Sequence, residues 1–190
     1  MNLNPTHGGL APSPWVMRFA RHWPAGTGVL DLACGSGRHA RALTALGHRV
    51  TAIDRDAAAI AALNGAAAEP LQADLESGPW PLEGRRFEAV VVTNYLWRPR
   101  LDAVLACVAP GGWWLHETFA VGNGSVGPPS NPDFLLQPGE LLAVAGRAGL
   151  RVVAYEDGFL DGPPRFVQRI AARREPPAAD AAAPARYALG

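Results

Sequence analysis

The chain has 190 residues, 48% of them hydrophobic, with seventeen basic and seventeen acidic side chains that leave no formal net charge. Against roughly 150 residues per domain, that length describes one compact domain with a short appendage, and the composition excludes a disordered chain. Every basic residue is arginine, which excludes Schiff-base, P-loop and ordinary kinase chemistry, and the neutral balance removes the drive for non-specific nucleic-acid binding.

Residues 1–10 show no basic region followed by an apolar run, and no stretch of about eighteen apolar residues occurs anywhere, so a cytoplasmic protein with no membrane contact is expected. Residues 1–28 form an N-terminal helical lid segment in this reading. Ser13 suits an N-cap and Pro14 a first turn, so a helix runs from there through Trp15, Arg18 and Ala20.

From Val29 onward, strand-like apolar runs alternate with helical patterns, the signature of an α/β sheet. Residues 29–33 form a buried strand, residues 35–37 a glycine turn, and residues 38–46 a helix with Ala42, Leu43 and Leu46 on one face, closed by Gly47. A second strand at 49–54, an alanine-rich helix at 56–64 and a short third strand at 70–74 follow. Residues 75–86 are a loop. The clearest strand is 87–94, where Val90, Val91 and Val92 are consecutive, as a strand covered on both faces requires. Pro99 opens a helix to Val108, Pro110-Gly111-Gly112 breaks it, and residues 113–120 make a fifth strand. The long loop 121–137 has the length of a functional segment. A helix at 138–146 precedes strands at 151–156 and 165–172, whose link is too short for a parallel crossover, so they pair as an antiparallel hairpin. Residues 175–190, mostly Ala and Pro, read as a mobile tail. Cys34 and Cys107 are too few and too isolated for a disulfide framework, and no metal site is expected.

The chemistry is concentrated in Asp31-Leu32-Ala33-Cys34-Gly35-Ser36-Gly37, where a strand runs into two glycines and a helix. Glycines let backbone approach a ligand, and a helix start offers free N–H groups. Asp54 ends the next strand, Asp74 the third and Asn94 the fourth, all where an open α/β sheet binds its ligand. Residues 35–40 also satisfy the dinucleotide fingerprint, so an NAD(P)-dependent oxidoreductase competes. Asp31 argues against a pyrophosphate and for a ligand bearing an ammonium group. Cys34 reads as a small buried apolar residue.

This pattern resembles the class I S-adenosylmethionine-dependent methyltransferases over residues 29–173, and within them the small bacterial tellurite-resistance-like group. The resemblance implies a Rossmann-like fold, a seven-stranded mostly parallel sheet with a reversed C-terminal strand and helices on both faces, spanning residues 29–174. It also implies S-adenosyl-L-methionine as cofactor. Carried onto this chain, Asp31, Ala33, Gly35 and Gly37 would hold the methionine part, Asp54 the ribose with Arg55 beside it, and Asp74 and Leu75 the adenine. Asn94 and Leu96 would flank the sulfonium, and Arg18 would pair with the cofactor carboxylate. Trp15, Trp80 or Trp97 would shield the positive sulfur. Tyr95 and His116 are the candidate catalytic bases, and Asn131 and Phe134 in the long loop would shape the acceptor site. The expected reaction is in-line transfer of a methyl group to a small-molecule acceptor, giving S-adenosylhomocysteine, by a monomer or homodimer. A cofactor-binding sensor without catalysis is the alternative of a different class.

Overall fold

In the computed structural model, which describes residues 11–67, 69–176 and 186–187, the apolar runs become seven strands: β1 Gly28–Leu32, β2 Arg49–Asp54, β3 Glu69–Gln72, β4 Phe87–Thr93, β5 Val108–Phe119, β6 Arg151–Asp161 and β7 Pro164–Arg173. They form one sheet in the order β3-β2-β1-β4-β5-β7-β6. All pairings among β1 to β5 are parallel, and β7 runs antiparallel to both β5 and β6. The seven-stranded, mostly parallel sheet with a reversed last strand is therefore present as expected.

Side chains alternate across each strand, so the central β4 feeds two cores. Val90 and Val92 pack with Leu105, Trp114 and Leu141 on one face, while Ala89 and Val91 join Leu43, Phe19 and Trp15 on the other. The second face is covered by α1 Pro14–Ala20 and α2 Arg38–Ala45; the first carries α4 Leu101–Ala106 and α5 Glu140–Arg147, and the short α3 Ala57–Ala61 lies beside β2 and β3. From β1 the chain goes outward to β2 and β3, then returns to β4 on the other side of β1. Loops leaving β1 and β4 therefore diverge and open a crevice at their carboxyl ends.

Ser13 caps α1 as expected, its hydroxyl accepting from the Trp15 N–H at 3.1 Å. Trp15, Val16, Phe19 and Ala20 are buried against the sheet, and the Trp15 indole donates to the Ile170 carbonyl at 3.2 Å. Several boundaries differ from the sequence reading. β5 starts at Val108 and continues through Pro110, Gly111 and Gly112, because Gly112 has no side chain to oppose: a Cβ there would lie 2.8 Å from the Ala109 carbonyl and 3.0 Å from that of Glu88. The β4–β5 register slips at the same place, between Phe87 and Ala89. The buried face of α2 is His39, Ala40 and Leu43, with Leu46 40% exposed. The β6–β7 pairing runs to Asp161 and Pro164, where a two-residue turn replaces the long link, and the Phe159 and Phe166 rings pack near it at 4.9 Å. In the expected tail, Tyr187 rests edge-on against Trp113, with the Arg151 and Arg173 guanidinium groups over its ring. The expectations for residues 1–10, 177–185 and 188–190 lie outside the described residues. No helix among the described residues is long and apolar enough to cross a membrane.

Candidate functional site

The crevice is built around the tip of β1. Ala33 takes φ +54°, Gly35 φ +53° and Gly37 φ +77°, a left-handed course that brings the chain back onto α2. The two glycines serve different ends. Nothing lies within 4 Å of the position a Cβ would take on Gly35, whereas on Gly37 it would sit 2.2 Å from Leu63 Cδ2, so Gly37 answers packing and Gly35 faces open space. The loop is braced by Asp54, whose Oδ2 accepts the Gly35 N–H at 2.8 Å while Oδ1 accepts the Asp56 N–H at 3.0 Å.

Asp31 is 1% exposed. Its Oδ2 accepts the Ala40 N–H at 2.9 Å, and its buried Oδ1 has no partner among the described residues. Burial disfavours the charged form and pushes its pKa up to about 7, against the lowering pull of the Ala40 N–H and of Arg38.

Two cavities of about 130 Å³ each flank this loop and share Ala33. One is lined by Asp54, Arg55, Ala73, Asp74, Leu75, Glu76 and Tyr95. The other is lined by Cys34, Gly35, Ser36, Arg38, Thr93 and Asn94, the last at φ +53°. In the first, Asp74 accepts from the Glu76 N–H at 2.8 Å and the Ser77 hydroxyl at 2.7 Å, which holds its carboxyl below the ordinary value. The Tyr95 hydroxyl is buried there without a partner among the described residues, and burial together with Glu76 and Asp74 pushes the phenol up. In the second cavity, Arg38 donates to the Ala11 carbonyl at 3.2 Å. Burial also pushes the Cys34 thiol up, in keeping with an inert side chain.

Most of the expected residues therefore meet at one end of the sheet, but several stand elsewhere. His116 lines neither cavity; it is 1% exposed, its Nε2 lies 2.9 Å from the Tyr95 carbonyl, and burial lowers its pKa to about 4. The physical reason is strand parity: His116 shares the face of Trp114, against which its ring packs at 5.6 Å, rather than the face toward α2. Arg18 lies 3.8 Å from Glu156 of β6 and over the Trp15 and Phe19 rings, and it lines neither cavity. Trp15 carries Arg169 over its ring at 4.9 Å and Trp80 carries Arg100 at 5.8 Å, so both indoles already face cations of the chain itself. Leu96 is buried in the core beneath Tyr95, and Trp97 is half-buried beside it.

The loop 121–137 is pinned. Arg98 forks onto Glu140 at 2.7 and 2.9 Å and donates to the carbonyls of Asp133 and Leu135, while the Asn123 side chain bridges Gly127, Pro129 and Phe166. Asn131 caps the turn that carries Phe134, which is 44% exposed. Sequence reasoning missed Arg38 and His39. His39 accepts the Ser13 N–H at 2.9 Å through Nε2 and meets the Thr93 hydroxyl at 3.3 Å through Nδ1, which ties α1 to the end of β4. The available signal was position, since both open the helix that follows the glycine turn.

The arrangement is a split crevice with carboxylates on one side and an arginine on the other. A family model described as a methyltransferase domain matches residues 29–112. Among solved structures, TehB from Haemophilus influenzae is 23% identical with a TM-score of 0.64; the match covers 78% of this chain, which spans only 58% of TehB. A SAM-dependent methyltransferase from Methanosarcina mazei is 15% identical with a TM-score of 0.66, covering 88% of this chain and 100% of that one. A TehB-like SAM-dependent methyltransferase from Corynebacterium glutamicum is 21% identical with a TM-score of 0.60, covering 83% and 88%. At these identities the likeness to solved structures is one of fold. No curated protein matches the sequence.

Proposed function

We propose that the chain is a class I S-adenosylmethionine-dependent methyltransferase acting on a small-molecule acceptor, a reading supported by the methyltransferase-domain match over residues 29–112 and by the shared fold. The observation that carries this reading is Asp31: a buried carboxyl with one unpartnered oxygen, beneath a loop whose Gly35 faces open space. An α-ammonium group supplies the missing donor and charge, which a pyrophosphate would not. Arg38, in the cavity beside Gly35, suits the carboxylate of the same amino-acid moiety, whereas Arg18 lines neither cavity and lies beside Glu156. On the other side Asp54 suits a ribose, while Leu75, Tyr95 and Asp74 suit a purine: an apolar side chain, an aromatic hydroxyl lacking a partner and a carboxylate. Ala33 forms the wall between the two halves, with Asn94 lining one side, Arg55 the other, and Leu96 supporting Tyr95 from the core.

When bound, S-adenosylmethionine supplies a methyl group already activated by a positively charged sulfur. Orientation by the chain then contributes much of the rate, up to about 7 to 11 kcal/mol in well-oriented systems. Neither cavity is lined by a histidine, and the Tyr95 phenol is pushed up, away from a base's range. His116 acts instead as a positioning residue through the Tyr95 carbonyl. This set of side chains favours an acceptor whose nucleophile needs no deprotonation by the protein.

Calorimetry with S-adenosylmethionine, S-adenosylhomocysteine and NAD(H) tests the reading. The two sulfur nucleosides should bind and NAD(H) should not, and Asp54→Ala should weaken binding by more than about tenfold, as the loss of charge-assisted hydrogen bonds would. Preference for NAD(H) would overturn it. Binding without turnover across a broad acceptor panel would favour the sensor.

A further inference from the structure

At the opposite end of the sheet from the crevice, where β4 and β5 begin, two arginines stand side by side. Arg86 immediately precedes β4, and Arg174 immediately follows β7, its N–H bonded to the Gly112 carbonyl of β5 at 3.0 Å. Both side chains reach the end of α4. Arg86 Nη1 donates to the Ala106 carbonyl at 2.9 Å and to the Val108 carbonyl at 3.4 Å. Arg174 Nε donates to the same Val108 oxygen at 3.0 Å, and its Nη2 to the Leu105 carbonyl at 3.0 Å. Such bonds satisfy carbonyls that a helix end leaves open, but they carry no full negative charge. Two cations sharing one acceptor oxygen still repel each other unless an anion comes between them.

Among the described residues, no carboxylate stands within ion-pair distance of Arg86 or Arg174. Arg86 keeps Nε and Nη2, and Arg174 keeps Nη1, without a partner there. A third guanidinium, Arg147 at the end of α5, lines the same cavity, whose volume of about 460 Å³ exceeds that of either half of the crevice. Asp102 is the one carboxylate among the described residues that lines it. It lies 3.6 Å from Arg147 with its side chain 87% exposed, so water screens the pair and little holds it closed. The remaining lining side chains, Leu105, Ala106 and Ala148, are apolar. The cavity thus sets three positive charges against one negative, on backbone held by two strands and two helices.

We propose that this cavity is a second binding site, separate from the crevice, for the phosphate group of a small phosphate ester, with Arg86 and Arg174 gripping the phosphate together and Arg147 leaving Asp102 to join them. A single guanidinium can fork both oxygens of a carboxylate. A phosphate dianion offers three acceptor oxygens and more charge, which matches several guanidinium groups at once. The remaining room takes the organic part of the ester against Leu105 and Ala148. The inference is independent of the methyltransferase reading.

The test is calorimetry on the full chain with phenyl phosphate, benzoate and a single-stranded oligonucleotide as probes. Phenyl phosphate should bind at least about tenfold more tightly than benzoate, and Arg86→Gln should weaken it by a similar factor. Because Arg86 also supports the end of α4, two variants at exposed side chains carry the same test. Arg147→Gln should weaken phenyl phosphate about threefold or more, and Asp102→Asn, which removes the competing carboxylate, should tighten it about threefold. S-adenosylhomocysteine, added in excess, should leave the affinity for phenyl phosphate unchanged. Phenyl phosphate binding no tighter than benzoate, or indifferent to both Arg147→Gln and Asp102→Asn, overturns the site. Competition by S-adenosylhomocysteine would put phenyl phosphate in the crevice and overturns it equally, and an oligonucleotide that binds more tightly than phenyl phosphate overturns the small ester as occupant. The comparison with benzoate needs no cofactor, so it judges the cavity even if the methyltransferase reading falls.

Discussion

The carboxyl group of Asp31 sits near pKa 7 because burial outweighs its one backbone donor, Ala40. Its ordinary value is 3.8, so the folded state holds a proton that the unfolded chain has released. The resulting stabilisation is fully present below pH 3.8 and is lost as pH rises through about 7, a cost of about 4 kcal/mol to the ligand-free protein at pH 8. Asp31→Asn removes that titration while keeping an acceptor for the Ala40 N–H. We expect it to raise the thermal midpoint of the free protein at pH 8 and to lower S-adenosylhomocysteine affinity by more than about tenfold, since no negative charge remains for an ammonium. A variant that melts earlier and binds unchanged would reduce Asp31 to a structural residue. The places of Asp31 and Asp54 near the ends of β1 and β2 were legible in the sequence, because apolar runs that stop at a turn mark strand ends. His116 was not, because a strand-end histidine can face either core, and only the register of β5 on β4 decides which.

Among the elements, α1 shows how a locally legible feature acquires a distant role. Its cap at Ser13 follows from Ser-Pro before an apolar run, yet the same hydroxyl donates to Glu117, 3.1 Å away and 104 residues on. Glu117 is 3% exposed, and a charged neighbour, Arg169, stands at 3.6 Å. Ser13→Ala therefore removes a cap and leaves a buried carboxylate short of a donor, for which about 2 to 3 kcal/mol of destabilisation is expected in urea unfolding. Ser13→Thr should restore most of it. Adding Glu117→Gln to Ser13→Ala should cost less than the sum of the two single changes, because no carboxylate is then left short of a donor; strict additivity would show that the contact carries no energy. The sheet was readable to this depth from alternating apolar runs and glycine breaks. What those patterns did not contain was the early start of β5, which depends on Gly112 lying against the carbonyls of neighbouring strands, and the tight β6–β7 turn.

For the molecule as a whole, the fold gathers buried titratable groups at the carboxyl end of the sheet, and their linkages run in opposite directions. His39 and His116 are buried neutral, with pKa values lowered from 6.5 to about 3 and about 4. The unfolded chain takes up protons below pH 6.5 that the folded chain refuses, so this contribution is intact above that pH and declines as pH falls toward 4. By pH 4.5 the two histidines together cost about 5 kcal/mol, while protonation of Asp31 returns about 3 kcal/mol over the same range. The free wild-type protein should thus lose only about 2 kcal/mol of unfolding free energy between pH 6.5 and 4.5. The Asp31→Asn variant, stripped of the compensating carboxyl, should lose about 5 kcal/mol. Urea unfolding at the two pH values for both proteins measures the difference, and equal losses would mean that Asp31 is ionised in the free protein. A bound ammonium ligand should likewise steepen the acid loss in the wild type, since it holds Asp31 in the charged form and removes the same compensation.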